Sequence, residues 1–165
     1  MKLTHKQRKR IINILTIAIP ILSVIAIYFG LRVTLVTDKP LIGVVGGSMS
    51  PALEGGDLVV VQGVPASSVH VEDIIVFDPP QGVRTIHRVT RIRPSDGTIQ
   101  FRTKGDAVDN EDDWISAQHV LGRVIYRIPY LGYLILDPTI PITVVIIIVI
   151  IILIWPERKR RVRSH

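Results

Sequence analysis

Residues 83–93 read Val83-Arg84-Thr85-Ile86-His87-Arg88-Val89-Thr90-Arg91-Ile92-Arg93. Val83, Thr85, His87, Val89 and Arg91 alternate with Arg84, Ile86, Arg88, Thr90 and Ile92. A period of two belongs to a strand, whose successive side chains point to opposite faces. Pro94-Ser95-Asp96-Gly97 then reads as a hairpin turn, and Thr98-Ile99-Gln100-Phe101-Arg102 as the returning strand. Upstream, Leu41-Ile42-Gly43-Val44-Val45, Asp57-Leu58-Val59-Val60-Val61 and Asp73-Ile74-Ile75-Val76-Phe77 are strand-like. The last ends at the turn Asp78-Pro79-Pro80. Downstream, residues 121–128 form one more strand. No stretch of helix length within residues 31–138 has a helical period. These residues are therefore expected to form a mostly β, antiparallel domain of ordinary size.

Both flanks of that domain are apolar. Residues 11–29, IINILTIAIPILSVIAIYF, carry no charge. As a helix they reach about 28 Å, close to the hydrocarbon thickness of a bilayer. No small-x-small cleavage site follows at Tyr28-Phe29-Gly30-Leu31-Arg32, so an uncleaved anchor is expected rather than a signal peptide. Residues 140–155, IPITVVIIIVIIILIW, hold nine isoleucines. They reach about 24 Å as a helix, and Trp155 suits a membrane interface. A buried core element is the plainer reading of the second run, but few soluble cores are so rich in isoleucine.

The 165-residue chain has a formal charge of +6 and no cysteine. The absence of cysteine excludes disulfides, a thiolate nucleophile and Cys-ligated metals. The charge is not spread evenly. Lys2, Lys6, Arg8, Lys9 and Arg10 precede the first apolar run, and Arg158, Lys159, Arg160, Arg161 and Arg163 follow the second. What lies between is mildly acidic, which argues against a nucleic-acid-binding body. Basic residues beside membrane spans stay in the cytoplasm. The expected arrangement is a basic cytoplasmic tail at 1–10, a transmembrane helix at 11–30 and an extracytoplasmic β-rich domain at 31–138. A second transmembrane helix at 139–155 and a basic cytoplasmic tail at 156–165 complete it. Both termini are then inside and the domain lies on the extracytoplasmic face of a cell membrane.

Gly46-Gly47-Ser48-Met49-Ser50-Pro51, with Glu54-Gly55-Gly56-Asp57 after it, cannot be regular helix. A glycine-rich turn between strands is its plain reading; the sharper one is an exposed loop holding up the Ser48 hydroxyl. A serine nucleophile needs a base and a group to orient that base. His70, His87 and His119 are the candidate bases of the domain. His87 lies in the alternating strand, a rigid platform, although a strand histidine is often a structural residue. Asp106, Asp109, Asp112 and Asp113 crowd one loop. They read either as a solvated acidic loop or as part of a site, and their spacing does not match an EF-hand calcium loop.

Four motifs occur together in order: Ser48-Met49-Ser50-Pro51; Asp73-Ile74-Ile75-Val76-Phe77; Ile86-His87-Arg88-Val89; and Thr103-Lys104-Gly105-Asp106 with Asp112 beyond. In this order they resemble signal peptidase I, peptidase family S26. Each motif is weak alone, but together they span nearly the whole domain. The common bacterial branch has a lysine where this chain has His87, so the chain resembles the Ser/His archaeal and endoplasmic-reticulum type. The fold implied is an antiparallel β catalytic domain of signal peptidase type flanked by N- and C-terminal transmembrane helices.

The resemblance implies that Ser48 is the nucleophile, His87 the general base and Asp106 the orienting acid. Asp112 is the alternative acid, with Asp113 its neighbour. Many relatives carry a hydroxyl residue two positions before the nucleophile, where this chain has Gly46. The oxyanion hole then rests on backbone amides, that of Ser48 among them. Val44, Val45 and Met49 are the candidate lining of shallow substrate pockets that read small residues at the first and third positions before the cut. The implied function is a membrane-bound serine endopeptidase that cleaves N-terminal signal peptides from exported preproteins, with no metal and no cofactor. Its partners would be signal peptides, the lipid bilayer and the secretion translocon. The alternatives are a non-catalytic membrane-anchored β module that binds exported chains, and a specialised processing peptidase with few substrates.

Overall fold

The computed structural model describes residues 4–80, 82–95 and 97–137, together with positions 139, 143, 146 and 147. The expected second span at 139–155 and the tail at 156–165 thus lie essentially outside the described residues.

The first helix, α1, covers His5–Thr34. Thr4 caps it, and its backbone N–H donates in return to the Gln7 side chain, so two helix-end groups are satisfied. Ile11–Thr34 is long and apolar enough to cross a membrane, and none of its most apolar window is buried against the chain. The hydroxyls of Thr16, Ser23 and Thr34 donate to the carbonyls of Ile12, Pro20 and Gly30. These three hydroxyls are thereby satisfied inside the helix itself, as an apolar solvent demands.

The strands are β1 (Leu41–Gly43), β2 (Leu58–Gln62), β3 (Ile74–Phe77), β4 (Thr85–Ser95), β5 (Thr98–Lys104), β6 (Ile115–Ser116) and β7 (Val120–Ile128). They form one sheet in the order β1-β2-β7-β3-β4-β5-β6, and every neighbouring pair is antiparallel. A single helical turn, α2 (Tyr133–Leu136), follows β7. The fold is thus mostly antiparallel β with one apolar N-terminal helix, as the alternation at 83–93 led us to expect.

Three details depart from the sequence reading. The alternation of 83–93 is broken by a bulge between Val89 and Arg91, and beyond it β4 is exposed on both faces. The first strand stops at Gly43 rather than Val45, because Val44 already takes part in closing a loop with Gly56 and Asp57. Pro94 and Ser95 belong to β4, so only positions 96–97 lie between the paired Ser95 and Thr98.

The sheet is buried on both sides at its centre. Val76 of β3 joins Val44, Met49, Leu53, Val59 and Val61 in one core cluster. Its neighbours Ile75 and Phe77 point the other way, into a cluster with Val69, Val89, Phe101 and Ile115. β4 divides likewise: Ile86 packs against the first cluster, and Val89 belongs to the second. The site described below sits where the loop after β1 meets β4 and the loop after β5.

The loop after β1 is held by a charge pair. The Asp57 side chain is 2% exposed, and Arg127 of β7 brings Nε to 2.5 Å from its Oδ2. That N–H is not aimed at the carboxylate, so the contact is an ion pair rather than a directed hydrogen bond. Asp57 Oδ2 also accepts from the Glu54 amide at 2.7 Å, and Arg127 Nη1 donates to the carbonyls of Ala52 and Pro51. Removing one partner of such a pair strands the other charge in the interior. Arg127→Met is expected to cost about 3 kcal/mol of stability. Denaturant unfolding of the full chain in detergent reads that loss, and adding Asp57→Asn should recover part of it.

Candidate active site

The candidate nucleophile is built from its loop upward. Gly46 adopts φ 87°, a left-handed conformation that favours glycine. Ser50 N donates to Gly47 O, and Leu53 N to Met49 O, so the chain turns back on itself directly after Ser48. Met49 and Leu53 are each 2% exposed and anchor this turn in the first core cluster. Ser48 is left half-exposed at its apex. The nearby hydroxyl of Ser50 is engaged elsewhere, donating to Glu54 Oε1 at 2.8 Å.

His87 comes from β4, where it pairs with Ile75 of β3, and its ring meets the Phe77 ring edge-on at 6.4 Å. It is 8% exposed. Its Nε2 lies 3.2 Å from Ser48 Oγ, and its Nδ1 lies 2.5 Å from Asp112 Oδ2. A carboxylate only accepts hydrogen bonds, so Nδ1 is the donor. Nε2 is then left to accept from the serine hydroxyl. The other candidate bases stand elsewhere: His70 pairs with Asp73, and His119 interacts with Gln118.

The acidic loop resolves differently from the ranking made on sequence. Asp106, the first-ranked orienting acid, is held by Arg88, whose Nε and Nη2 donate to it at 2.9 and 2.7 Å. The carboxylate that meets His87 is Asp112. Asp113 and Asp109 are exposed. The cause is the loop's path. β5 ends at Lys104, the chain turns at Gly105, and it returns so that Asp112 N donates to Thr103 O at 2.8 Å. Thr103, fully buried, donates its hydroxyl to Asp112 Oδ2 at 2.6 Å, and Arg102 Nε donates to the Asp112 carbonyl at 3.1 Å. The carboxylate is thus oriented before any ligand arrives.

Gly105 has no room for a side chain. A Cβ there would stand 2.5 Å from Ser48 O and 3.0 Å from His87 Nε2. Its bareness lets the loop close over the pair, and Ala107 N donates to Ser48 O at 2.8 Å. The Ser48 amide itself has no intramolecular acceptor among the described residues. Thr103, Gly105, Arg88 and Arg102 were not singled out from sequence. Thr103 and Gly105 do lie inside a quoted motif, and Arg88 directly follows His87.

A cleft of about 550 Å³ opens beside Ser48 and His87, lined mainly by apolar side chains of β1, the loop after it, residues 83–86 and α2. Val44, Val45 and Met49 all border it. Val44 and Met49 are core residues showing little surface, whereas Val45 is 79% exposed. β1 is an edge strand, and β5 joins β4 only from Arg88 onward. Strand edges with unpaired backbone groups therefore border the cleft.

A family model described as "Signal peptidase, peptidase S26" matches residues 12–112. The signal peptidase complex catalytic subunit SEC11C of Homo sapiens is 29% identical over 136 residues, covering 76% of this chain and 71% of the relative. The catalytic subunit SEC11 of Schizophyllum commune is 29% identical over 151 residues, covering 76% and 78%. That of Dictyostelium discoideum is 29% identical over 139 residues, covering 78% and 75%.

Hydrogen bonding from Arg88 holds the Asp106 carboxyl below its ordinary value; burial opposes this, and the charge of Arg88 adds to it. Arg88 is raised by the same pair. A carboxylate lowered on folding stabilises the native state above its unfolded pKa, and that contribution is lost as pH falls through its folded value. Asp106→Asn is therefore expected to flatten the acid limb of the stability profile below the usual carboxylate range. Thermal unfolding of wild type and variant from neutral pH down to strongly acidic pH checks this. Parallel profiles would show that the pair contributes nothing.

Proposed function

This chain belongs to the signal peptidase family, peptidase S26, and from that premise we propose that Ser48, His87 and Asp112 are its catalytic residues. The observation that carries the proposal is the unbroken line Ser48 Oγ – His87 Nε2 – Nδ1 – Asp112 Oδ2, with separations of 3.2 and 2.5 Å. Membership of the family makes the chain a serine endopeptidase. Relatives named as catalytic subunits of the signal peptidase complex support signal peptides as its substrates.

Ser48 Oγ attacks the scissile carbonyl while His87 Nε2 takes its proton. The tetrahedral oxyanion is stabilised by the Ser48 amide, and Gly46 leaves the backbone accessible there without adding a hydroxyl. Asp112, held by Thr103, keeps the imidazole in the tautomer that accepts at Nε2 and stabilises the imidazolium that forms. His87 then gives the proton to the leaving amine, the C–N bond breaks, and an ester remains on Ser48. Water, deprotonated by the same imidazole, hydrolyses that ester and restores the serine.

The substrate is bound extended, adding a strand against the open edge of β1. Its side chains at the first and third positions before the cut then share one face. On that face Val44 and Met49 leave room only for small groups. The membrane arrangement is part of the same proposal. Residues 11–30 and 139–155 span the bilayer, 31–138 lie outside, and the basic segments 1–10 and 156–165 stay in the cytoplasm. The bilayer and the translocon are then its immediate neighbours. The short connection from Thr34, the end of α1, to Ser48 supports placing the nucleophile near the membrane surface, where a spanning signal peptide presents its cleavage site.

Ser48→Ala and His87→Ala are each expected to abolish cleavage of a model preprotein in detergent while leaving the thermal unfolding of the chain near that of wild type. Asp112→Asn should lower kcat about 10³- to 10⁴-fold, and Asp106→Asn by far less. Full activity in Ser48→Ala or His87→Ala would falsify the assignment, and the reverse order of the two aspartates would reassign the orienting acid.

A further inference from the structure

The chain beyond β7 returns to the nucleophile loop and docks on it. Gly132 N donates to Gly56 O at 2.9 Å, and the Tyr133 hydroxyl donates to Gly55 O at 3.3 Å. The Tyr133 ring lies so close over Gly56 that a Cβ there would fall 2.2 Å from it. Gly56 also has φ 93°, so a side chain is disfavoured at that position twice over. Gly132 is pressed equally hard against the Asp57 carbonyl, 2.1 Å from where its own Cβ would stand. At the end of α2, Leu136 fills the space over Gly43: a Cβ on that glycine would lie 2.7 Å from Leu136 Cγ and 2.9 Å from Cδ2. Ile135 and Leu136 both border the cleft that holds Ser48 and His87. Leu136 is 38% and Ile135 52% exposed, so each keeps apolar surface that a ligand could cover.

Alternation along β1 says which ligand atoms meet that surface. Ile42 packs into the first core cluster beside Val44, and its partner across the ladder is the fully buried Val59. Gly43, between them in sequence, faces the opposite side of the sheet, and that is the side Leu136 covers. A peptide extended along β1 divides its side chains in the same way. If those at the first and third positions before the cut face Val44, those at the second and fourth face α2. The matched family region ends at residue 112, so α2 lies outside the part of the chain that the family model describes.

Resting on the peptidase reading above, we propose that Leu136, supported by Ile135, is a specificity-determining wall of the cleft. It contacts substrate side chains at the second and fourth positions before the cut and favours apolar ones there. The pieces needed for such a wall are present together: an apolar side chain seated against a bare glycine, a backbone clamp that fixes its element, and a cleft shared with the serine and the histidine.

The test uses two model preproteins that differ only at those two positions, one with leucine at both and one with glutamine at both. The ratio of their kcat/KM values is measured for the full chain in detergent. In wild type the leucine substrate is expected to be preferred. Leu136→Ala should lower the ratio on the order of fivefold, and Leu136→Gln, close in size, should lower it further. Discrimination between alanine and leucine at the first position should move by less than either change. If Leu136→Ala unfolds, the near-isosteric Leu136→Gln carries the test. An unchanged ratio in a folded variant overturns the proposal, as does a shift confined to the first position. Cleavage that persists in Ser48→Ala would instead overturn the active-site assignment, which separates the two failures.

Discussion

The buried carboxylate of Asp57 and the guanidinium of Arg127 are the contact on which the working end of this molecule depends. A glycine-rich loop has little reason to keep one shape, since glycine loses more conformational freedom on folding than other residues. Here the loop is closed from both ends. The Asp57 carbonyl accepts from Val44, its carboxylate accepts from Glu54, and Arg127 ties the carbonyls of Pro51 and Ala52 to β7. The segment before α2 then lies against the same Asp57 carbonyl. One ion pair therefore joins the glycine-rich loop, the long strand β7 and the returning chain, and sets the frame in which Ser48, the proposed nucleophile, is presented.

The second half of the site is set by a loop folding over a glycine. Gly105 lets the chain after β5 pass close enough for Ala107 to hold the Ser48 carbonyl. Farther along, the same loop delivers Asp112 to His87, with Thr103 fixing the carboxylate from below. Preorganisation of this kind is what hydrolysis by a weak nucleophile requires, because the donors and acceptors need no rearrangement as charge develops. Arg88 plays a complementary part. It takes up Asp106, so that Asp106 and Asp112 have separate partners, Arg88 for the one and Thr103 with His87 for the other.

The sequence made the architecture legible where periodicity was long enough to read. Residues 83–93 announced a strand, and the strand-like runs before and after them became β1, β2, β3, β5 and β7. A bulge adds one residue without changing composition, so the break after Val89 left no mark. The two residues of β6 and the single turn of α2 are too short to show any period. Within the site, Ser48 and His87 stood out because each lies in one of the ordered motifs that resemble the signal peptidase family. The sequence put Asp106 first, whereas the carboxylate that meets His87 is Asp112, because four aspartates share one loop and only its path in space separates them. Asp57 was invisible for the opposite reason. Charged residues are mostly exposed, and nothing in the sequence shows that an arginine some seventy positions later will reach it.

The measurement that bears most directly on this picture is covalent trapping of the nucleophile. A peptide with the extended, small-residue end of a signal peptide and a C-terminal phosphonate ester is incubated with the full chain in detergent, and the adduct is located by mass spectrometry. The expected result is one adduct per chain, on Ser48, lost in His87→Ala and slowed in Asp112→Asn. An adduct on Ser50, or preprotein cleavage that continues at full rate with Ser48 unmodified, would contradict it.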